Sequence, residues 1–178
     1  MDLRVQKTRN AIINAFLELR STKPLEKITV RELSEKAVIN KSTFYLHYTD
    51  VYNLSEKLET ELIDSILASL PHPEYLISKP EQGIEDLYNS IISHYSMIRI
   101  LFSGSRAPFL LECFEPKLKA LICEKYPEYR NSSTFDIIMC LLVRGEFQIF
   151  LQYIEKMEPD ELISIFGRVS KCIFSEFS

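Results

Sequence analysis

Glycine is scarce in this 178-residue sequence: there are four, at 83, 104, 145 and 167. Turn-rich β folds and phosphate-cradling loops both need more. Long apolar runs are lacking too. The longest, Ile137–Val143, is far short of the roughly 20 residues a membrane span requires, so no membrane association is expected. Met1-Asp2-Leu3-Arg4 leads straight into polar sequence, without the apolar stretch of a secretion signal. The four cysteines, Cys113, Cys123, Cys140 and Cys172, form no Cys-x-x-Cys pair and stand in apolar stretches. That pattern predicts buried free thiols and a reducing, cytoplasmic setting. The three histidines, His47, His72 and His94, lack Glu-x-x-His or His-x3-His spacing, so neither a metal nor a cofactor is expected. No Ser/His/Asp or Cys/His arrangement stands out, which leaves an enzyme without a candidate site.

What is present is apolar sequence at helical spacing. Hydrophobic residues make up 46% of the chain and charged residues 26%, a balance suited to a sizeable folded core. Apolar positions recur three and four apart almost throughout, and period-two alternation is almost absent. The fold class expected is all-α. Charge divides the chain unevenly. Residues 1–50 carry nine Lys/Arg against six Asp/Glu, a balance of +3, and the rest carry twelve against nineteen, or −7. A basic end on an acidic body points to an anionic partner for the N-terminal part.

The spacing predicts a first helix over 3–21, with Ile12, Phe16 and Leu19 in one stripe, ended by Lys23-Pro24. Thr29-Val30-Arg31-Glu32 has the form of a capping box opening a short second helix, with Leu33 and Ala37 inward. Asn40 is a good N-cap for a third helix over 41–48, and Asp50 for a long fourth helix carrying Leu54, Leu58, Leu62 and Ile66. Pro71 to Pro80 reads as a loop, followed by helices near 82–102, 108–126, 132–157 and 159–177. The second and third helices are each about two turns long and are joined by Val38-Ile39-Asn40, which is helix-turn-helix geometry. Phe44 and Tyr48 face the core of this head. The remaining faces present Lys41, Ser42, Thr43, Tyr45, Leu46 and His47. Most are donors suited to phosphates and base edges, and Leu46 is suited to shape or a thymine methyl.

Lys27-Ile28-Thr29-Val30-Arg31-Glu32-Leu33 and Lys41-Ser42-Thr43-Phe44-Tyr45-Leu46-His47-Tyr48 resemble the DNA-binding head of the TetR family of transcriptional regulators. The resemblance covers roughly residues 8–58. It implies a three-helix head at 1–50 and a larger helical bundle at 51–178 that binds an effector or partner and dimerises. It also places Thr29, Tyr45 and His47 at phosphates, and Arg31 with Lys41 to Thr43 at bases or phosphates. The body resembles, more weakly, the branch containing activators of dihydroxyacetone kinase operons. Two positions depart from the family pattern. Val38 stands where the family has its turn glycine, and Val51 replaces the usual lysine at the start of the fourth helix. They leave a second reading open, a helical protein-interaction coregulator with weak or no DNA binding of its own.

Within the body, Tyr88, Phe102 and Phe147 are the candidates for lining a site for a small apolar effector, with plain helical core as the alternative. From Phe135 to Ile154, fourteen of twenty residues are apolar, more than a helix facing only its own core requires. Gly145 would let a neighbouring helix approach, and Phe166, Val169, Ile173 and Phe177 would form a matching stripe on the last helix. A homodimer through residues 132–177, bound to double-stranded operator DNA, is the expected assembly.

Overall fold

Apolar residues at helical spacing are expressed as ten α-helices among the described residues, with no strand. The computed structural model describes residues 3–177, with side chains through Ser175. The helices are α1 (Leu3–Arg20), α2 (Val30–Lys36), α3 (Lys41–Tyr45), α4 (Val51–Ala68), α5 (Tyr75–Ser78), α6 (Pro80–Ser93), α7 (Tyr95–Leu101), α8 (Ala107–Lys125), α9 (Ser133–Tyr153) and α10 (Pro159–Phe177). No helix of the described residues is long and apolar enough to cross a membrane. The chain divides into two compact units, Met1–Leu62 with Tyr95–Leu110, and Ile63–His94 with Leu111–Ser178.

In the first unit, Ile12, Ala15, Phe16 and Leu19 of α1 are buried with Leu33 of α2, Phe44 of α3, and Val51, Leu54 and Leu58 of α4. Burying each of the larger side chains contributes about 1.5–3 kcal/mol. Three charged residues lie within this core. Arg20, 4% exposed, donates to the carbonyls of Leu101 at 3.3 Å and Ser103 at 3.1 Å. It thereby satisfies the Leu101 carbonyl at the C-terminal end of α7, adds a second donor to the Ser103 carbonyl, and places a cation where the helix dipole favours one. Burial pulls its guanidinium below the ordinary value. Glu59 of α4, 3% exposed, accepts from Arg106 Nε at 2.9 Å and from its Nη2. The Ser55 hydroxyl donates to the same carboxylate at 2.7 Å.

In the second unit α6 packs along α10. Ile84, Leu87, Tyr88 and Ile91 are buried on one helix, and Leu162, Ile163, Phe166 and Phe174 on the other. Gly167 sets the closeness of the pair, since a Cβ there would stand 2.9 Å from the Glu81 Cα. Helix α9 adds Phe135, Ile138, Met139, Leu142, Glu146 and Phe150. Glu146 is a carboxyl in an otherwise apolar row, and its partner is the Ser170 hydroxyl at 2.9 Å.

Several sequence expectations need correction. The Pro71–Pro80 segment contains α5, a single helical turn. The helix expected over 82–102 breaks at His94. Its amide bonds to Ile91 O, while the Ser93 hydroxyl (2.7 Å) and the His94 ring (2.9 Å) take the Ser90 carbonyl that a continuing helix would use. Helix α3 ends at Tyr45, because the following amides turn back three residues, Leu46 to Thr43 and His47 to Phe44. Cys123 is buried and Cys113 half-buried, but Cys140 and Cys172 are exposed, on the outward faces of α9 and α10. Phe166 does not join the outward stripe. It lies 5.1 Å from the Tyr88 ring in the core of its own unit. Val169 is exposed and Ile173 half-buried, and the side chain of Phe177 lies outside the described residues.

Candidate functional site

The second helix is started by Thr29, whose hydroxyl accepts from the Glu32 amide at 3.2 Å. The reciprocal half of the expected capping box does not form. The Glu32 carboxylate is engaged by Lys23, which ties the segment before α2 to its first turn. The third helix starts after Asn40. Its carbonyl accepts from Thr43 and Phe44, but its side chain makes no capping bond. Asp50 does cap α4, accepting from the Asn53 amide at 2.8 Å.

Phe44 and Tyr48 hold α3 on the head, both buried and with ring centroids 5.8 Å apart. The other faces are thereby turned outward. Lys41, Ser42, Tyr45 and Leu46 are exposed, and Thr43 and His47 are half-buried. Leu46 is 84% exposed, an unusual position for a leucine that packs on nothing. Thr29 and Arg31 are exposed on α2, so all eight residues singled out in the head reach its surface. Arg31 is not a bare cation. Its Nε donates to Glu35 at 2.9 Å, which holds the guanidinium above its ordinary value. Among the described residues, no group of three or more His, Cys, Asp or Glu is placed to hold a metal ion.

The turn between α2 and α3 carries a strained residue. Val38 has φ +56° and is the non-glycine residue with positive φ among those described. Left-handed backbone costs a side-chain-bearing residue about 1–2 kcal/mol, and branching at Cβ adds to this. Val38 is 90% exposed, so removing its side chain loses little burial. Val38→Gly therefore stabilises the chain by about 1 kcal/mol, glycine's extra unfolded-state freedom offsetting part of the gain. Thermal unfolding checks this as a rise in Tm of roughly 2–4 °C.

Val51 is buried, at 5% exposure, and belongs to the core rather than to the outer face. A cation nearby was not anticipated from sequence. Lys57, exposed on α4, donates to the His47 carbonyl at 3.4 Å and lies 5.1 Å from the Tyr48 ring centre. The contact spans a turn and ten residues, and no local pattern announces it. In the second unit, Tyr88 is buried against Phe150 at 5.2 Å as well as Phe166, and Phe147 is half-buried beside Phe150. Phe102 is buried in the first unit.

No family model matches the chain. It is similar in part to two curated proteins. Over 100 residues it is 32% identical to the uncharacterized HTH-type transcriptional regulator YxbF of Bacillus subtilis, which covers 51% of this chain and 25% of that protein. Over 87 residues it is 26% identical to the uncharacterized HTH-type transcriptional regulator TtgW of Pseudomonas putida, covering 49% of this chain and 59% of that protein. The matches thus span between a quarter and about three-fifths of these relatives' own length.

Proposed function

We propose that the chain is a DNA-binding transcriptional regulator with a TetR-like head, acting as a homodimer on a palindromic operator and controlled through its C-terminal helices. The observation that carries this reading is the outer surface of α3. Lys41, Ser42, Thr43, Tyr45, Leu46 and His47 surround a helix anchored by buried Phe44 and Tyr48. The names of both relatives, helix-turn-helix regulators, support it. In this reading Thr29, Lys41, Tyr45 and His47 hold phosphates and fix the register. Arg31, Ser42 and Thr43 meet bases or phosphates, and Leu46 meets a thymine methyl.

The dimer is supported by the outward face of α9. Ile137, Leu141, Ile149 and Tyr153 are all exposed and recur at multiples of four residues, forming one ridge. Gly145 continues the row, with open space above it. Val169 adds an exposed apolar residue on α10. A contiguous apolar ridge of this kind is the surface a second copy covers in a two-fold interface. The C-terminal domain is proposed to take a small apolar effector or a protein partner that favours one of two arrangements of the paired heads. Tyr88 and Phe147, both of the second unit, remain the residues offered for that role.

Selection of bound sequences from random duplex DNA tests the head and the dimer together. The expected product is a motif of two half-sites related by two-fold symmetry, with centres roughly 34–36 Å apart or at a multiple of that. Lys41→Ala is expected to weaken binding to all sequences alike and to lower the salt slope by about one. A motif without symmetry removes the dimer. Recovery of no motif, with no salt-dependent binding, removes the DNA reading and leaves the protein-interaction module.

A further inference from the structure

Other ion pairs in this unit join separate segments of the chain: Lys23 to Glu32, Lys36 to Glu18, and Arg9 to Glu61. Arg31 and Glu35 are different, because both belong to α2 and tie nothing to anything else. Their order is also the unfavourable one. Arginine lies in the first turn and glutamate four residues later, so each charge sits at the helix end where the dipole disfavours it. Both side chains are well exposed, at 75% and 65%. A reversed, solvated pair of this kind adds little to stability, so the stability of the fold does not account for it.

Its geometry gives another account. Among the described residues, the bond from Arg31 goes out through Nε alone, to Glu35 Oε1 at 2.9 Å. Held at Nε, the 75% exposed guanidinium keeps its two-nitrogen Nη edge without a protein acceptor among the described residues. That edge matches the O6 and N7 acceptors of guanine in the major groove. Glu35 itself lines a cleft with Arg4 and Thr8 of α1 and with Asn40 and Thr43 at the start of the third helix. We propose that Glu35 is a positioning residue that holds Arg31 by its Nε so that the Nη edge reads a guanine in each half-site. The inference rests on the DNA-binding reading of the head. Because the pair is neutral, it contributes discrimination between sequences rather than attraction to phosphates.

Three variants of the full chain test this, each put through sequence selection and salt-dependent binding. Glu35→Ala frees Arg31. Discrimination at one base pair of each half-site is expected to fall about tenfold, while binding to random duplex tightens and its salt slope steepens by about one. Glu35→Gln keeps a carbonyl to accept the Nε–H but removes the charge, so the slope steepens and the motif survives. Arg31→Ala loses the guanine preference at that same position. Unchanged thermal unfolding in all three assigns the effects to recognition. If Glu35→Ala tightens binding to every sequence alike and the motif is intact, positioning is overturned while the DNA-binding head stands. If the unmodified protein selects no motif at all, the reading of the head fails and this inference fails with it.

Discussion

Arg106→Ala is expected to lower the stability of the first unit by about 3–5 kcal/mol, the loss that follows removal of one partner from a buried ion pair. The cause is what stays behind. Glu59 is 3% exposed, and without Arg106 its carboxylate retains the Ser55 hydroxyl at 2.7 Å as its remaining hydrogen-bond donor. The guanidinium also lies 3.8 Å from the Phe109 ring centre, and the substitution removes that cation–π attraction as well. Domains are commonly stable by only about 5–15 kcal/mol, so the variant should unfold at much lower urea. Replacing both partners separates this mechanism from simple loss of packing. The double variant Glu59→Leu, Arg106→Met puts apolar groups of similar size where the ions were, and is expected to recover most of the loss. Urea unfolding followed by circular dichroism measures both. A double variant no more stable than Arg106→Ala alone would show that the deficit is a packing defect and not an abandoned charge.

That ion pair also marks the limit of what the sequence discloses. Local features were legible because their causes are local. Thr29 caps α2, Asp50 caps α4, and Phe44 and Tyr48 share a face four residues apart, all within a few residues of chain. The outer surface of α3 follows from the same arithmetic: once Phe44 and Tyr48 are inward, Lys41, Ser42, Tyr45 and Leu46 must be outward. Arg106 and Glu59 are 47 residues apart, and Arg20 reaches carbonyls more than 80 residues away. No periodicity encodes such pairings. Composition nonetheless held a clue to one buried charge. Glu146 falls in register with Phe135, Ile138, Met139, Leu142 and Phe150 at three- and four-residue steps, so the spacing that reveals the core also puts a carboxyl into it. The break at His94 was hidden for another reason. Apolar periodicity runs on through Ile91 and Ile98, and what ends the helix is competition between side chains for one carbonyl, which a hydrophobic pattern does not record. Phe166 was misplaced because a stripe read along one helix does not reveal which neighbour it faces.

Glu146→Gln is expected to remove a dependence on pH from the second unit and to make it more stable in mild alkali. Glu146 is 7% exposed. It faces Ser170 from α10, whose hydroxyl donates to it at 2.9 Å, and it acts on buried Tyr88 from α6, whose phenol it helps push well above its ordinary value. Burial is the dominant cause of its own shift, the Ser170 bond opposing it, and together they raise the carboxyl from 4.5 to about 7. Between those values the folded chain holds a proton that the unfolded chain has released. Stability therefore falls as pH rises, by about 1.4 kcal/mol per unit, and levels off above the folded value. Across the full window the loss is about 3 kcal/mol. Glutamine keeps an oxygen to accept the Ser170 hydroxyl and has no proton to lose. The two proteins should differ by less than about 1 kcal/mol at pH 5, and the variant should be ahead by about 3 kcal/mol at pH 8. Urea unfolding of both proteins at half-unit steps of pH reads the difference directly, because contributions from every other carboxylate cancel in the comparison. Parallel stability curves for the two proteins would mean that Glu146 is ionised in the folded state, and that a counter-charge or water reaches it.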